Sequence, residues 1–565
     1  MSKRAIAILV LAVLVIAPSV FAGAQREAAV GPAATVNPRG TFPIVDQPIT
    51  VTVYREASLT AEQQAALADN AVLQLHARET NINLEFVHLN PQDGKTQMTL
   101  AFAAGNYPEA AFLSWNTMLT RDDVVQFGTR EGIVVPLNDY IDQYAHELEI
   151  IFELRPNHRA ILTAPDGNIY GIPRFTECYH CMSYPKLWFN YGWLREMGLN
   201  EPQTTDELHQ VLRAFKSRDP NIVPLTGNVE WSSALEFYLM NSFIYTDAAS
   251  TSTSPRPFLS WVDDRVTFVA ARPEWREGLT WMKRLYDEGL IDPGNFTQNN
   301  EGMQQLIRQE PLIVGGYTSD HIGMGVDFWN DPDTTDMFNA LPPVAGPRGV
   351  RYQPYWDPVS QLGGFSFVLF DKAQNPAATF RFADYLLSEY NMFVGGTGIE
   401  GVRWRRPDDP NAVNMFGGPL KAIANRLPAD ASQAEIDRWN RNHIWLGLLG
   451  DIVERRAMIT PPATPETLRT DYETRIQWET MKTEPYWPDV VLPRSLFMES
   501  GIAAEFTDLK LNLVNHVLSN TARFITGARS LNDWDAYVSE LRRFGMDRYV
   551  EIYAEAYEDF LALSR

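Results

Sequence analysis

The segment "ITVTVYRE", starting at Ile49, alternates apolar and polar residues and is rich in β-branched side chains, the pattern of a strand with one buried face. A helical stretch over 60–76 follows, opened by Thr60 as N-cap with Glu62 in its first turn, and "INLEFVHLN" then supplies a second strand. Strand, helix and strand at this spacing require a crossover, so the strands run parallel and the fold class is α/β. The alternation continues. A helix ends at Gly105, and an apolar strand over 110–113 delivers Ser114, Trp115 and Asn116 at its carboxyl end, the edge where open α/β sheets bind ligands.

The stretch "TAPDGNIYGIPRF", 163–175, is a tight turn at Pro165-Asp166-Gly167, a short strand with Tyr170 at its centre, and a forced exit at Pro173, which lacks a backbone donor. A second α/β pattern begins after it. "KLWFNYGWLREMGLNEPQTTDELHQVLRAFKSRDP" reads as a strand, a short helix stopped by Gly198, and a helix opened by the capping box Thr204 and Glu207, with Leu208, Val211, Leu212 and Phe215 on one face. "NIVPLTGN" is expected as a strand ending at Asn228, a helix spans 275–288, and "PLIVGGYTSD" is a strand carrying Tyr317. "GGFSFVLFDKAQNPAATFRFADYLLSEY" then returns to strand, turn and helix, and the remainder is expected to be largely helical.

The N-terminus has the zones of a signal peptide: basic Lys3 and Arg4, an apolar run over 5–16, and Ala22-Gly23-Ala24 for cleavage. The run falls short of the roughly 20 residues a membrane span needs. Residues 1–24 are therefore expected to be a signal peptide and 25–47 a flexible leader, with export to the periplasm or the extracellular space. No lipobox cysteine follows the signal. Cys178 and Cys181, in "TECYHCM", form either a small disulfide or a pair of thiols; a structural zinc needs about four ligands, so no metal is expected. The formal net charge of -22 excludes a chain built to neutralise nucleic-acid phosphates. There is no G-x-S-x-G, no H-E-x-x-H and no P-loop, and among 70 Asp and Glu residues a pair such as Glu230 with Glu400 is an arbitrary choice. No catalytic residue and no cofactor is assigned, and the chain is expected not to be an enzyme.

Five stretches in this order carry a resemblance: "DGNIYGIP" with the aromatic strand after it, "WLREMGLNEPQTTDELHQVLRAFKSRDP", "NPAATFRFADYLLSEY", "GGTGIEGVRW" and "ITGARSLNDWDAYVSELRRFGMDRYVEIYAEAYEDF". Through them the chain resembles the family 1 extracellular solute-binding proteins of ABC importers, in the long branch that handles oligosaccharides. The resemblance implies a two-lobed periplasmic-binding-protein (venus flytrap) fold. Lobe 1 is expected over 48–175 and 363–400, lobe 2 over 184–356, and a largely helical 401–565 bracing both. It implies a monomer that closes on an oligosaccharide and docks on permease subunits of the transporter. The alternatives are an exported glycoside hydrolase or lyase, and a ligand presenter for a chemoreceptor.

Many long relatives carry an acidic calcium loop after "DPN", whereas here "RDPNIVPL" runs directly into a strand without the six to eight oxygens calcium takes. Sugars present hydroxyl rims and apolar faces, so aromatic residues beside polar ones at strand ends are the candidate contacts. These are Tyr54, Arg55, Trp115, Asn116, Tyr170, Asn228, Glu230, Trp231, Tyr317, Trp356, Glu400, Arg403 and Trp404. Arg403, Arg405 and Arg406 in "GVRWRRPDD" suit a uronate carboxylate or, balanced by Asp408 and Asp409, a solvated basic turn.

Overall fold

The computed structural model describes residues 34–114, 118–230, 233–247, 257–356, 362, 364–428, 430–498 and 500–564. The expected signal peptide and most of the expected leader, Trp115, Asn116, Trp231 and the expected lobe boundary at Gly363 lie outside the described residues. The rest forms two α/β lobes.

Lobe 1 is built on β1 (Ile49–Glu56), β2 (Ile82–Leu89), β3 (Ala110–Phe112) and β4 (Gly171–Ile172). β1 pairs in parallel with both β2 and β3, as the crossover spacing demands. The helix expected over 60–76 is broken in two. Thr60 caps Ala61–Ala65, which tightens into a 3-10 turn at Ala66–Asp69, and Asn70 starts a new helix, Ala71–Thr80. The break has a local cause: the Asn70 side-chain oxygen accepts the backbone N–H of Val72 at 3.0 Å and of Leu73 at 3.2 Å, so asparagine acts as an N-cap.

Pro173 ends β4, and the chain leaves lobe 1 through β5 (Phe175–Thr176). Lobe 2 contains β6 (Lys186–Asn190), a hairpin of β7 (Leu259–Val262) and β8 (Arg265–Phe268), then β9 (Gly316–Ser319) and β10 (Phe338–Leu341). Its sheet has the order β10-β6-β9. The expected "NIVPLTGN" strand joins this sheet only through isolated parallel bridges, Val223 to Val314 and Thr226 to Tyr317, because Pro224 interrupts the ladder. Helix Thr205–Lys216 has its capping box and buries Leu208, Val211, Leu212 and Phe215, each contributing about 1.5–3 kcal/mol as an upper estimate.

The chain then returns. β11 (Phe367–Leu369) inserts between β3 and β4, antiparallel to both, completing the order β2-β1-β3-β11-β4. Beyond it, residues 401–428 contain no helix among the described residues; they hold the ribbon β12 (Trp404–Arg405) and β13 (Ile423–Ala424), and Pro407, Pro410, Pro419 and Pro428 explain why no helix forms. β14 (Gly450–Asp451) pairs in parallel with β5. The long helices come later, at Ser500–Thr526, Trp534–Arg543 and Met546–Leu563. The first packs on helix Pro273–Asp287 of lobe 2, and the last packs on β8 of lobe 2 and on helix Pro156–Leu162 of lobe 1. Among the described residues no helix is long and apolar enough to cross a membrane.

One glycine fixes how the late segment meets lobe 1. Gly447 has φ of 86°, and a Cβ there would lie 2.1 Å from the carbonyl oxygen of Leu113, at the end of β3. Gly447→Ala is expected to lower the unfolding free energy by at least about 2 kcal/mol, from left-handed strain plus overpacking, measured by urea denaturation.

Candidate functional site

The strand directions determine where a site can form. β3 and β4 are both antiparallel to β11, so β1, β3 and β4 all end on the same edge of lobe 1, and the end of β4 leads directly into β5. In lobe 2, Lys186, the first residue of β6, pairs with Ser319, the last of β9, and Thr226 pairs in parallel with Tyr317. The carboxyl ends of β9, of β10 and of the 223–226 stretch therefore lie on the side where the chain enters, and that of β6 on the opposite side. The first three of these ends and the carboxyl ends of lobe 1 lie on the hinge side of their sheets, the edge at which open α/β sheets bind ligands.

On the lobe 1 edge, the Glu56 carboxylate accepts the Ser114 backbone N–H at 3.2 Å, holding the end of β3 to the end of β1. Arg55 is buried, and its Nε donates to the Trp445 carbonyl at 3.1 Å. The Arg174 guanidinium, one residue past Pro173, lies 4.6 Å from the centre of the half-buried Trp445 ring. Burial lowers the pKa of Arg174 to about 10, partly offset by Asp451. Trp445 and Arg174 escaped the sequence analysis. The available signals were the tryptophan two residues before a glycine in "HIWLGLLG" and the arginine directly after the strand-ending proline.

At the hinge, Tyr184 and Trp356 pack with ring centres 4.1 Å apart, Arg494 lies 3.6 Å over the Trp356 ring, and Tyr355 stacks on Trp487 at 4.3 Å. Cys178 and Cys181 are joined in a disulfide. With His180 they are the one close group of potential metal ligands among the described residues, and their sulfurs are bonded to each other.

Buried charges tie the crossings together. Glu177 accepts Arg155 Nε at 2.9 Å, Arg155 Nη2 at 2.6 Å and the Val453 backbone N–H at 3.1 Å. Lys186 Nζ donates to the carbonyls of His180 at 2.9 Å and Ser183 at 2.5 Å. Its burial lowers the pKa to about 8 against the pull of Asp320 and Glu479. Arg456 bridges Asp451 of β14 and Glu473 of helix Tyr472–Met481, at 3.0 Å to each. Burial pushes the Glu473 carboxyl up, but the charges of Arg456 and His180 and the Gln477 hydrogen bond outweigh it and hold the pKa at about 2.

The other sequence candidates are dispersed. Tyr54 is a core residue edge-on to Phe370. Tyr170 sits at the start of β4, away from the carboxyl edge, and its hydroxyl donates to Asp166 at 2.6 Å. Tyr317 is fully buried in the lobe 2 core, and its hydroxyl donates to the Ile322 carbonyl at 2.7 Å. Asn228 is buried and accepts the Glu230 backbone N–H at 2.8 Å, while Glu230 accepts the Asn300 N–H at 2.8 Å at the start of a helix. Trp404 is buried against Phe393, its indole N–H donating to Gly398 at 2.9 Å. Arg403 lies over Trp439, and Arg406 pairs with Glu400 at 2.8 Å. Arg405 and Arg406 are exposed, as a solvated basic turn requires.

Residues 57–392, more than half of the chain, match the family model for bacterial extracellular solute-binding proteins. The fructooligosaccharide ABC transporter substrate-binding protein FusA of Streptococcus pneumoniae serotype 4 (strain ATCC BAA-334 / TIGR4) is 23% identical over 518 residues, covering 87% of this chain and 88% of that one. The polygalacturonan/rhamnogalacturonan-binding protein YtcQ of Bacillus subtilis (strain 168) is 22% identical over 350 residues, covering 60% of this chain and 64% of that one. The solved structure of FusA in complex with kestose superposes with a TM-score of 0.66 at 21% identity, covering 91% of this chain and all of that one, and shows the same two-lobed fold.

Because its pKa is depressed below the ordinary 4.5, Glu473 contributes stability that is complete above about pH 4.5 and is lost as pH falls toward 2. Glu473→Gln is expected to be less stable than the parent at pH 7 by on the order of 3 kcal/mol, since it leaves Arg456 buried with one partner fewer. The difference should close between pH 4.5 and 2 in urea titrations; a constant difference across that range would assign the loss to packing rather than charge.

Proposed function

The chain belongs to the bacterial extracellular solute-binding proteins, and from that membership we propose that it is the exported substrate-binding component of an ABC importer, closing its lobes on an oligosaccharide. The observation that carries this reading is that the carboxyl ends of lobe 1 and those of β9 and β10 in lobe 2 lie on the hinge side of their sheets. A ligand held there touches both lobes only when they close, so binding favours the closed form. The closed monomer then presents a surface to the permease subunits outside the cytoplasm, and the sugar leaves unmodified.

The proposed contacts on lobe 1 are Ser114 to Asn116, Arg174 and Trp445; on lobe 2 they are the loop from Asn228 to Trp231 and the aromatic group around Trp356. Trp445 is half-buried with a cation on one face, which suits an indole stacking on the apolar face of a sugar ring. FusA is named for fructooligosaccharides and YtcQ for polygalacturonan, so the test uses both classes.

Calorimetry against kestose, trigalacturonate and their longer homologues is expected to find at least one ligand. Its addition should reduce the radius of gyration in small-angle X-ray scattering, and chromatography after long incubation should return the sugar intact. Trp445→Ala should weaken binding at least about tenfold, or 1.4 kcal/mol, while shifting the thermal midpoint of the empty protein little. Cleaved sugar, or no binding across the panel, would overturn the reading.

A further inference from the structure

Among the described residues the buried arginines divide in two: Arg455 and Arg475 pair with carboxylates, whereas Arg55, Arg121 and Arg381 form no ion pair. Arg456 binds Asp451 and Glu473, Arg455 binds Glu147 at 3.0 Å, and Arg475 lies 3.4 Å from Glu479. Arg55 is 9% exposed and uses Nε for the Trp445 carbonyl, while its Nη1 is buried with no hydrogen-bond partner among the described residues. No carboxylate opposes its charge: burial alone lowers its pKa. A guanidinium taken out of water without an anion costs several kcal/mol, a cost that is offset when an anion arrives. Arg381 donates to the carbonyls of Asn37 and Thr41, and Arg121, like Arg55, donates to one carbonyl (Ile161, 3.0 Å) and lies over one ring (Phe497, as Arg55 lies 5.6 Å from the centre of Phe86); what distinguishes Arg55 is a cavity.

This cavity, of about 660 Å³, opens between the end of β1 and the segment 437–445, with Arg55 and Trp445 in its wall and His443 and Arg441 beside them. Its volume falls within the ~300–1,000 Å³ of small-ligand sites. Two imidazoles flank the guanidinium. His88 is its cross-strand neighbour, and burial together with the Arg55 charge lowers its pKa. His443 is lowered by burial, then by Arg403 and Arg55. Glu62 and Asp437, also in the lining, are exposed. The same Trp445 whose carbonyl anchors Arg55 carries Arg174 on its ring, which puts the cavity next to the Arg174–Trp445 pair.

We propose that this cavity is a carboxylate-binding subsite of the cleft and that the oligosaccharide is acidic, with one uronate residue seated against Arg55. The planar fork of the guanidinium matches a carboxylate through two parallel N–H donors, whereas the neutral hydroxymethyl group at the same ring carbon offers it a single oxygen without charge. The assignment rests on the oligosaccharide-importer reading and fixes its substrate class. It comes from a different place in the chain than the exposed arginines of "GVRWRRPDD".

The test uses the mature chain and pairs of trimers that differ at carbon 6: trigalacturonate with galactotriose, and trimannuronate with mannotriose, with kestose as a further neutral sugar. The expected result is that one uronate trimer binds at least tenfold tighter than its neutral partner, and that added NaCl weakens only the uronate. Arg55→Gln should bring the uronate-to-neutral affinity ratio down to about one, whatever the change in neutral binding through Trp445; Arg55→Lys should retain part of the ratio. The discrimination ratio separates recognition from a purely structural role, because displaced packing around Trp445 would weaken both members of a pair alike. Equal or tighter binding of a neutral sugar, or an unchanged ratio in Arg55→Gln, overturns the acidic subsite and leaves the importer reading standing. Absence of binding to any sugar overturns both.

Discussion

Arg456 places one guanidinium between Asp451 on β14, which pairs with the strand leaving lobe 1, and Glu473 on a helix that packs into lobe 2. This guanidinium is one of the side-chain ties between the elements that join the lobes, together with those of Glu177 and Lys186. The helix bearing Glu473 also sends Glu479 to the Ala340 backbone N–H at 2.9 Å and Arg475 to the Phe338 carbonyl at 2.7 Å, so it is fastened to β10. Pairing is what makes such partly buried charge tolerable, and removing either carboxylate leaves the guanidinium with one partner instead of two. Ion pairs do not add much net stability over a well-packed apolar hinge, but they fix one geometry, because each partner must find its mate.

A hinge fastened in this way suits two-state closure. The chain crosses after Pro173, again between Leu341 and Phe367, and again between Asp451 and Tyr472, so rotation must be shared by all the crossings rather than absorbed by one loose linker. Lys186 adds a local tie, gathering the carbonyls of His180 and Ser183 at the first residue of β6. The moving parts are then rigid lobes, and a ligand acts on them only through its difference in affinity for the open and closed forms.

Much of this was legible in the sequence because it is local. Alternation in "ITVTVYRE", the Thr204–Glu207 capping box and the donor missing at Pro173 each act over a few residues, and the structure has each where the pattern puts it. The failures are also local, where a competing signal was weighed too lightly. Asn70 could only be read as an interruption once its side chain was seen capping the next turn. The β7–β8 hairpin turns on Asp263 and Asp264, both with positive φ (53° and 57°), a conformation aspartate tolerates but does not announce. The site was harder. Tyr317 and Trp404 look like contacts because aromatic residues at strand ends serve both ligands and cores, and sequence cannot say which face a neighbour covers. Trp445 meets Arg55 of β1 across more than 300 residues of chain, two residues before the point where Gly447 lets the backbone touch Leu113.

The distribution of charge ties hinge and site together. A chain with a formal charge of -22 has carboxylates to spare, and it places them beside Arg155, Arg455, Arg456 and Arg475. Around Arg55 there are instead two imidazoles whose pKa values its own charge helps to depress. Neutral imidazoles keep hydrogen-bonding capacity without adding repulsion, so the inner, buried side of the cavity holds the Arg55 guanidinium, while Arg441, Glu62 and Asp437 lie at its exposed side. In a strongly acidic molecule the surrounding field repels anions at long range, and salt screens it over about 8 Å. A single desolvated cation in a concave wall acts inside that distance, so it selects among ligands already in the cleft instead of steering them there.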